Sequence, residues 1–390
     1  MAERCVILDI ACMKEGDVVR VAQILGKMEG GGVEQTVLNY YNAIDRDEVQ
    51  FDFFVFEGSS MIPFEEIEKR GGTVTQLPRF SRPFSYVRVL RAALKNGGYS
   101  IAHCHLSTLS FLPLFAARLA GVNVRIIHNH STSGGKRERL RNFAKTLLKP
   151  IAPMFATHRV ACSELAAHWM YGKRSSIAAL GELKPKSVTI MRNSVDIDKF
   201  SFSAEKRRDI RSEFGISEDT VLYGHIGRFC PQKNQSFLLD IFAVITKLQP
   251  NSILLLAGKG EDLSEIKQKS ERLGLSDRVI FAGHRSDADK LYCAFDCFIM
   301  PSNYEGLPVV GVEAQCSGVG CLFSDKVTKE VLFTDGAEML PLLLSAQGWA
   351  AAAIEKSRSR YPRAAQQVSD SGFDIGVAAK ALEKFYKRLV

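Results

Sequence analysis

No apolar run in the 390 residues approaches the ~20 that a membrane-spanning helix needs, which argues against a helical membrane protein. The start, MAERCVILDIACMKEGD, has a short apolar stretch broken by Asp9. It lacks a basic segment followed by a clean apolar one, so a secretory leader is not expected. Residues 1–17 read as a loose extension, or as a start placed upstream of a true initiation at Met13. There is no G-x-x-x-x-G-K-[ST] phosphate loop and no G-x-G-x-x-G dinucleotide fingerprint. Short repeats and low-complexity tracts are absent too. The nine cysteines are odd in number and scattered, mostly inside apolar runs where a thiol behaves as a small hydrophobe. Cys293 and Cys297 are spaced as one helical turn, but no further Cys or His joins them in a zinc-binding pattern. The thiols read as reduced, in a cytoplasmic protein. The net charge of +8 is mild for this length. It suits phosphorylated ligands or an anionic membrane surface. Nucleic acid is not an expected partner, because no recognition motif or aromatic stacking platform accompanies the charge.

What is present is the composition of a globular protein, 46% hydrophobic and 24% charged, with length for two domains. Short apolar runs at 18–25, 51–56, 101–105, 124–130 and 158–163 predict strands, with helical periodicity at 33–44, 84–96 and 107–120. A second series follows, with strands at 221–227, 252–258, 279–283, 297–302 and 320–324 and helices at 234–247, 261–273, 286–295 and 307–317. Strands alternating with helices predict an α/β protein with parallel sheets covered on both faces. Residues 187–203 carry turn chemistry and charge between the two series, and the link between domains is expected near 194–204. The expected organisation is an N-terminal Rossmann-like domain over 1–194, a C-terminal one over 204–372, and an amphipathic helix over 373–390. Two such domains face to face form a cleft lined by the loops that follow the strands.

Several residues fall in those loops. Gly30, Gly31 and Gly32 follow a strand and precede a helix, where free N–H groups can meet a phosphate; an ordinary tight turn is the competing reading. His103 and His105 alternate on one strand and point the same way, as do His128 and His130 on the next. Neutral imidazoles can position a sugar hydroxyl or move a proton, and His130, last on its strand, is best placed for a cleft. Arg228 and Lys233 sit in one loop and suit a diphosphate, Arg as a fork and Lys as a point charge. Glu305 and Glu313, separated by seven residues, bracket a loop-to-helix switch at Gly306-Leu307-Pro308. A carboxylate buried on an apolar helix needs a partner, either ribose hydroxyls or a neighbouring cation.

In order, the Gly-Gly-x-Glu loop, the H-x-H strand, HNHS, ACSE, IMRNSVD, GRFCPQKN, LLLAGKGE, FAGHRSD and PSNYEGLPVVGVEAQCSG resemble family 4 glycosyltransferases of the GT-B fold. The likeness covers roughly residues 18–385 and is nearest the bacterial exopolysaccharide and capsule branch. It implies transfer of a sugar from a nucleotide-sugar, by family tendency a UDP-sugar, with retention of configuration and without a metal or other cofactor. It implies that Gly31 and Gly32 approach the donor diphosphate and that His130, with His128 as an alternative register, contacts the donor sugar. Arg228 and Lys233 would neutralise the diphosphate. Glu305 would lie near the sugar, the N–H groups around Gly306 and Leu307 would serve sugar and phosphate, and Glu313 would hold the ribose. His103, His105 and His128 are further candidates for sugar or acceptor contact. The final helix would brace the N-terminal domain. A nucleotide-sugar epimerase and a non-catalytic nucleotide-sugar-binding subunit are the competing readings. Asp196 and Asp198 form a D-x-D, but in the linker, where a metal role is not expected.

Residues 136–151, KRERLRNFAKTLLKPI, are basic and amphipathic. Such a helix either lies on an anionic bilayer or packs its stripe on its own domain. A glycan or lipid-linked acceptor, as the resemblance implies, favours the bilayer, with the protein peripheral on the inner face of the cell membrane.

Overall fold

The computed structural model of the chain describes residues 18–130, 139–182 and 184–390. The proposed extension over 1–17, the loop at 131–138 and the first basic residues of the amphipathic segment lie outside the described residues.

Two parallel sheets account for the strands. The first contains β1 (Val19–Ile24), β2 (Val49–Phe56), β3 (Val74–Leu77), β4 (Ile101–Cys104), β5 (Val124–Asn129), β6 (His158–Ala161), β7 (Ile177–Ala179) and β8 (Val188–Ile190). Their order across the sheet is β3-β2-β1-β4-β5-β6-β8-β7. The second contains β9 (Val221–Ile226), β10 (Ser252–Ala257), β11 (Val279–Gly283), β12 (Cys297–Met300), β13 (Gly320–Ser324) and β14 (Ala337–Leu340). Its order is β11-β10-β9-β12-β13-β14. Both sheets therefore reverse direction beside their first strand, between β1 and β4 and between β9 and β12. A doubly wound sheet opens its crevice at that reversal, beyond the carboxyl ends of the strands.

The strands are buried on both faces, as parallel strands under helices must be, and β2 shows it in FDFFVF. Its Asp52 is inside the layer and survives there through Arg20 on β1 (Nη2–Oδ2 2.7 Å) and Thr73. Four strands fall outside the sequence expectations: β3, β7, β8 and β14. All four lie at or next to sheet edges and are three or four residues long, too short for a periodicity to register. β8, Val188–Ile190, is a fully buried strand of the first sheet, and the chain leaves that sheet only after it. Cys293 and Cys297 do not share a helix, since Cys293 lies on Ala288–Ala294 and Cys297 opens β12.

The last helix, Ile375–Lys387, starts on Asp374, whose carboxylate accepts the Gly376 N–H at 2.8 Å. It buries Ile375, Ala379, Leu382, Phe385 and Tyr386 in the core of the first sheet. The chain thus crosses between the halves twice. The two crossings lie side by side: Val195 donates to Phe373 O at 2.9 Å, and Ile375 donates to Val195 O at 3.0 Å. Further contacts join the halves. Asn193 Nδ2 donates to Leu307 O at 2.7 Å, and the Glu330 carboxylate accepts the N–H groups of Glu164 and Leu165 at the start of helix Glu164–Tyr171. A carboxylate there satisfies orphan donors and meets the positive end of the helix dipole.

Candidate active site

The wall from the second sheet is built by the loops after β9 and β12. Gln232 Nε2 donates to Tyr304 O at 3.1 Å, Asn303 N to Gln232 O at 2.7 Å, and Asn234 Nδ2 to Pro301 O at 3.1 Å. These bonds hold two loops as one surface. Lys233 Nζ lies 2.6 Å from Glu305 Oε1, with the side chains only 15% and 10% exposed. A Lys and a Glu from neighbouring loops meet at the strand reversal. Arg228 reaches outward from the same loop, and its Nε donates to Glu261 Oε2 at 3.1 Å, both side chains more than half exposed. An exposed pair of this kind is worth ~0–1 kcal/mol, so the guanidinium is free to change partner. The position of Arg228 is set from behind. Phe229 N donates to Lys259 O at 2.9 Å, and a Cβ at Gly260 would fall on the carbonyl oxygen of Phe229. Under the loop, His225 is fully buried, bonded to Ile299 O at 2.8 Å, and burial lowers its pKa to about 4. It is a neutral strut for Gln235, which in turn donates to Arg228 O at 2.9 Å.

Gly306 and Leu307 lead into helix Val309–Cys316, which carries Glu313. The partner that a buried carboxylate requires is Tyr292, whose hydroxyl donates to Glu313 Oε2 at 3.0 Å. Burial raises the Glu313 pKa to about 7, with the Tyr292 hydrogen bond and nearby Lys199 opposing it. Tyr292 escaped the sequence reading because nothing local ties position 292 to 313.

The wall from the first sheet begins with the glycine loop. Gly31 caps helix Gly32–Ala43. Gly30 has φ +78°, and a Cβ there would sit 3.3 Å from His284 of the other half, so the loop is close against the second sheet's side of the cleft. The N–H of Gly31 is not free. It donates to Glu34 Oε2 at 2.6 Å, and the Glu29 N–H donates to the same oxygen at 3.0 Å. The position expected to meet a phosphate is held by the chain's own carboxylate, whose pKa burial raises.

The four strand-end histidines form one column. His103 and His105 stack at 4.3 Å, and His128 and His130 lie 3.8 Å apart. His103 and His128 are fully buried and His105 is 5% exposed. They form a layer beneath His130, so direct sugar contact, as expected from their strand ends, is not what this geometry offers them. His130 is half-buried at the cleft and bonded to His105 (Nε2···Nδ1 2.9 Å). Burial lowers the pKa of His103 and of His130 to about 3, so both are neutral near pH 7.

Gly31, Gly32 and His130 thus follow strands of the first sheet, and a Cβ at Gly32 would sit 3.8 Å from Val309 of the other half. Arg228, Lys233, Glu305, Gly306 and Leu307 follow strands of the second, with Glu313 on the next helix. Two doubly wound sheets whose reversals share one basic, carboxylate-bearing cleft define a glycosyltransferase of the GT-B architecture. The chain belongs to glycosyltransferase family 4: residues 30–199 match "Glycosyltransferase Family 4" and residues 206–352 match "Glycosyl transferases group 1". It is 34% identical over 316 residues to a protein named as glycosyltransferase EpsF of Bacillus subtilis (strain 168), covering 80% of each chain. It is 25% identical over 311 residues to the UDP-Gal:alpha-D-GlcNAc-diphosphoundecaprenol alpha-1,3-galactosyltransferase of Escherichia coli, covering 75% of this chain and 76% of that one. The crystal structure of Anabaena HepE in complex with UDP-glucose superposes with a TM-score of 0.75 at 19% identity, over 93% of this chain and 98% of the other. The protein is a glycosyltransferase.

Proposed function

We propose that the enzyme transfers a sugar from a UDP-sugar, with retention and without a metal, to a lipid-linked glycan in cell-surface polysaccharide synthesis. The observation that carries this reading is the Lys233–Glu305 pair at the second sheet's reversal. Departure of UDP moves an electron pair from the C1–O bond onto a β-phosphate oxygen. Lys233, already in the cleft, and Arg228, released from its exposed partner Glu261, stabilise that growing charge in place of a cation. The acceptor hydroxyl approaches C1 from the face that UDP leaves, and its proton passes to the departing phosphate oxygen. Glu305 holds Lys233 in position and lies near the sugar, and Glu313 takes the ribose hydroxyls. The donor class is supported by the UDP-glucose bound to the HepE structure, and the acceptor class by the diphosphoundecaprenol substrate named for the E. coli relative.

An exposed apolar stripe supports work at a membrane surface. Phe143, Leu147, Ile151 and Met154 are 64%, 58%, 38% and 61% exposed on and after helix Arg139–Leu148, in a basic stretch of sequence. Leu148 on the same helix is half-buried, so part of the apolar stripe is covered and part is left open. Open apolar side chains in a basic stretch support contact with an anionic bilayer. Among the described residues no helix is long and apolar enough to cross one.

Calorimetric binding of UDP, GDP and ADP to the wild type and to Lys233→Ala tests the donor reading. UDP binds alone or best, and Lys233→Ala loses at least tenfold in affinity and two or more orders of magnitude in transfer, with an unchanged circular dichroism spectrum. Full transfer by the variant would remove Lys233 from the mechanism.

A further inference from the structure

We propose that Gln23 and Tyr386 fix the tautomer of His130 through His105, so that His130 Nδ1 faces the cleft as a hydrogen-bond acceptor. The proposal deepens the role of His130 in the transferase reading above and rests on it.

The argument follows the hydrogen bonds inward from the cleft. His130 Nε2 meets His105 Nδ1 at 2.9 Å, and His105 Nε2 meets Gln23 Oε1 at 2.8 Å. Gln23 Nε2 donates to the Tyr386 hydroxyl at 3.3 Å, and that hydroxyl meets His103 Nδ1 at 2.6 Å. Every member but His130 is buried, so each proton must have an assigned place. The Gln23 carbonyl oxygen only accepts, so His105 carries its proton on Nε2. Burial holds His105 well below the ordinary imidazole pKa and therefore neutral, so its Nδ1 has a lone pair and accepts. His130 must then donate from Nε2. A neutral His130 with the proton on Nε2 keeps Nδ1 as a lone pair, suited to a hydroxyl of the donor sugar. At the far end, the Tyr386 hydroxyl accepts from Gln23 and so donates to His103 Nδ1, which leaves the His103 proton on Nε2, buried and without a hydrogen-bond partner among the described residues. Burial raises the Tyr386 pKa, which keeps that proton in place.

The amide orientation of Gln23 sets the direction of the whole chain. If Gln23 were reversed, every donor would become an acceptor and His130 would present an N–H to the sugar. Tyr386 anchors Gln23, and Tyr386 belongs to the last helix, 363 residues further along the sequence. Gln23 and Tyr386 are positioning residues, since neither reaches the cleft.

A three-imidazole metal site is the rival use of this cluster, because ligand nitrogens of His103, His105 and His128 lie within 4.8 Å of one another. Two facts favour the hydrogen-bonded chain. Both nitrogens of His105 already have partners, and His103 stacks on His105 and on His128 with interplanar angles of 25° and 20°, whereas ligands around one ion point at a common centre.

The test is the nitrogen NMR spectrum of 15N-histidine-labelled free enzyme, alongside transfer kinetics and UDP binding. In the wild type, His130, assigned by its loss in His130→Ala, shows protonated Nε2 and unprotonated Nδ1. Tyr386→Phe, and independently Gln23→Met should the first not fold, give averaged or reversed His130 shifts. Both lower kcat at least tenfold and leave the UDP Kd within twofold, because the nucleotide is held by the other half. A protonated Nδ1 in the wild type, or an unaltered His130 signature in both variants, overturns the proposal. So would Co2+ absorption bands that vanish in His128→Ala. Failure of the wild type to bind any nucleotide would count against the transferase reading instead, since the tautomer is read in the free protein.

Discussion

Glu313 has the clearest measurable signature of a single residue. Its pKa, raised by burial to about 7, lies well above the ordinary carboxylate range. Between about pH 4.5 and 7 the folded state holds a proton that the unfolded chain has released, so this residue makes stability fall as pH rises through that window. In the proposed donor complex ribose hydroxyls donate to the ionised carboxylate, so donor binding would favour loss of that proton. UDP-glucose affinity is expected to rise up to about tenfold from pH 6 to pH 8, with proton release measured by calorimetry in buffers of different ionisation enthalpy. Glu313→Gln flattens the profile. A flat wild-type profile would mean that the ribose does not reach this carboxylate. Arg228, Lys233 and Glu305 were legible in the sequence because each stands in a loop just after a strand, where a doubly wound sheet exposes side chains, and Glu313 because a carboxylate on an apolar helix needs a partner. Gln23, Tyr292 and Tyr386 were not. Their partners are distant in sequence, and a Gln on a strand or a Tyr on a helix reads as ordinary packing until the partner is seen.

Among the elements, the loop after β9 depends on a backbone contact that only glycine permits. Gly260 lies against the Phe229 backbone, next to Arg228, and any Cβ there must move one of the two strand-end loops. Gly260→Ala is expected to weaken UDP binding at least tenfold while the second sheet stays folded, read by calorimetry and circular dichroism. Unchanged affinity would show that the Arg228 loop takes its shape from the ligand and not from its neighbour. The long strands and the helices between them were visible in the sequence because both faces of each strand are apolar. The short edge strands were hidden because three or four residues carry no period. β8 was missed for a related reason: its three residues, VTI, are followed at once by the charge and turn residues of MRNSVD. The glycine loop was read correctly as the start of a helix. That its N–H groups would be taken by Glu34 is a matter of side-chain rotamer, which sequence pattern does not encode.

For the whole molecule, Phe143, Leu147, Ile151 and Met154 give the N-terminal half an exposed apolar side, the one proposed to meet a membrane. Phe143→Ser/Leu147→Ser is expected to lose most of its pelleting with anionic liposomes at low salt while keeping UDP affinity, and wild-type binding should weaken as salt rises. Equal pelleting of both proteins would place the membrane contact elsewhere or remove it. The parallel crossings at Val195 and Phe373–Ile375 bear on the integrity of the enzyme. Because the N-terminal half is completed by the chain's last helix, that half is not a continuous stretch of sequence, and the C-terminal half is inserted within it. A single break in one crossing would leave the halves tied through the other, and the polypeptide would be in two pieces while the enzyme remained one object. Synthesis has a matching order: the first sheet leaves the ribosome early, but its core stays open until the final residues arrive to close it.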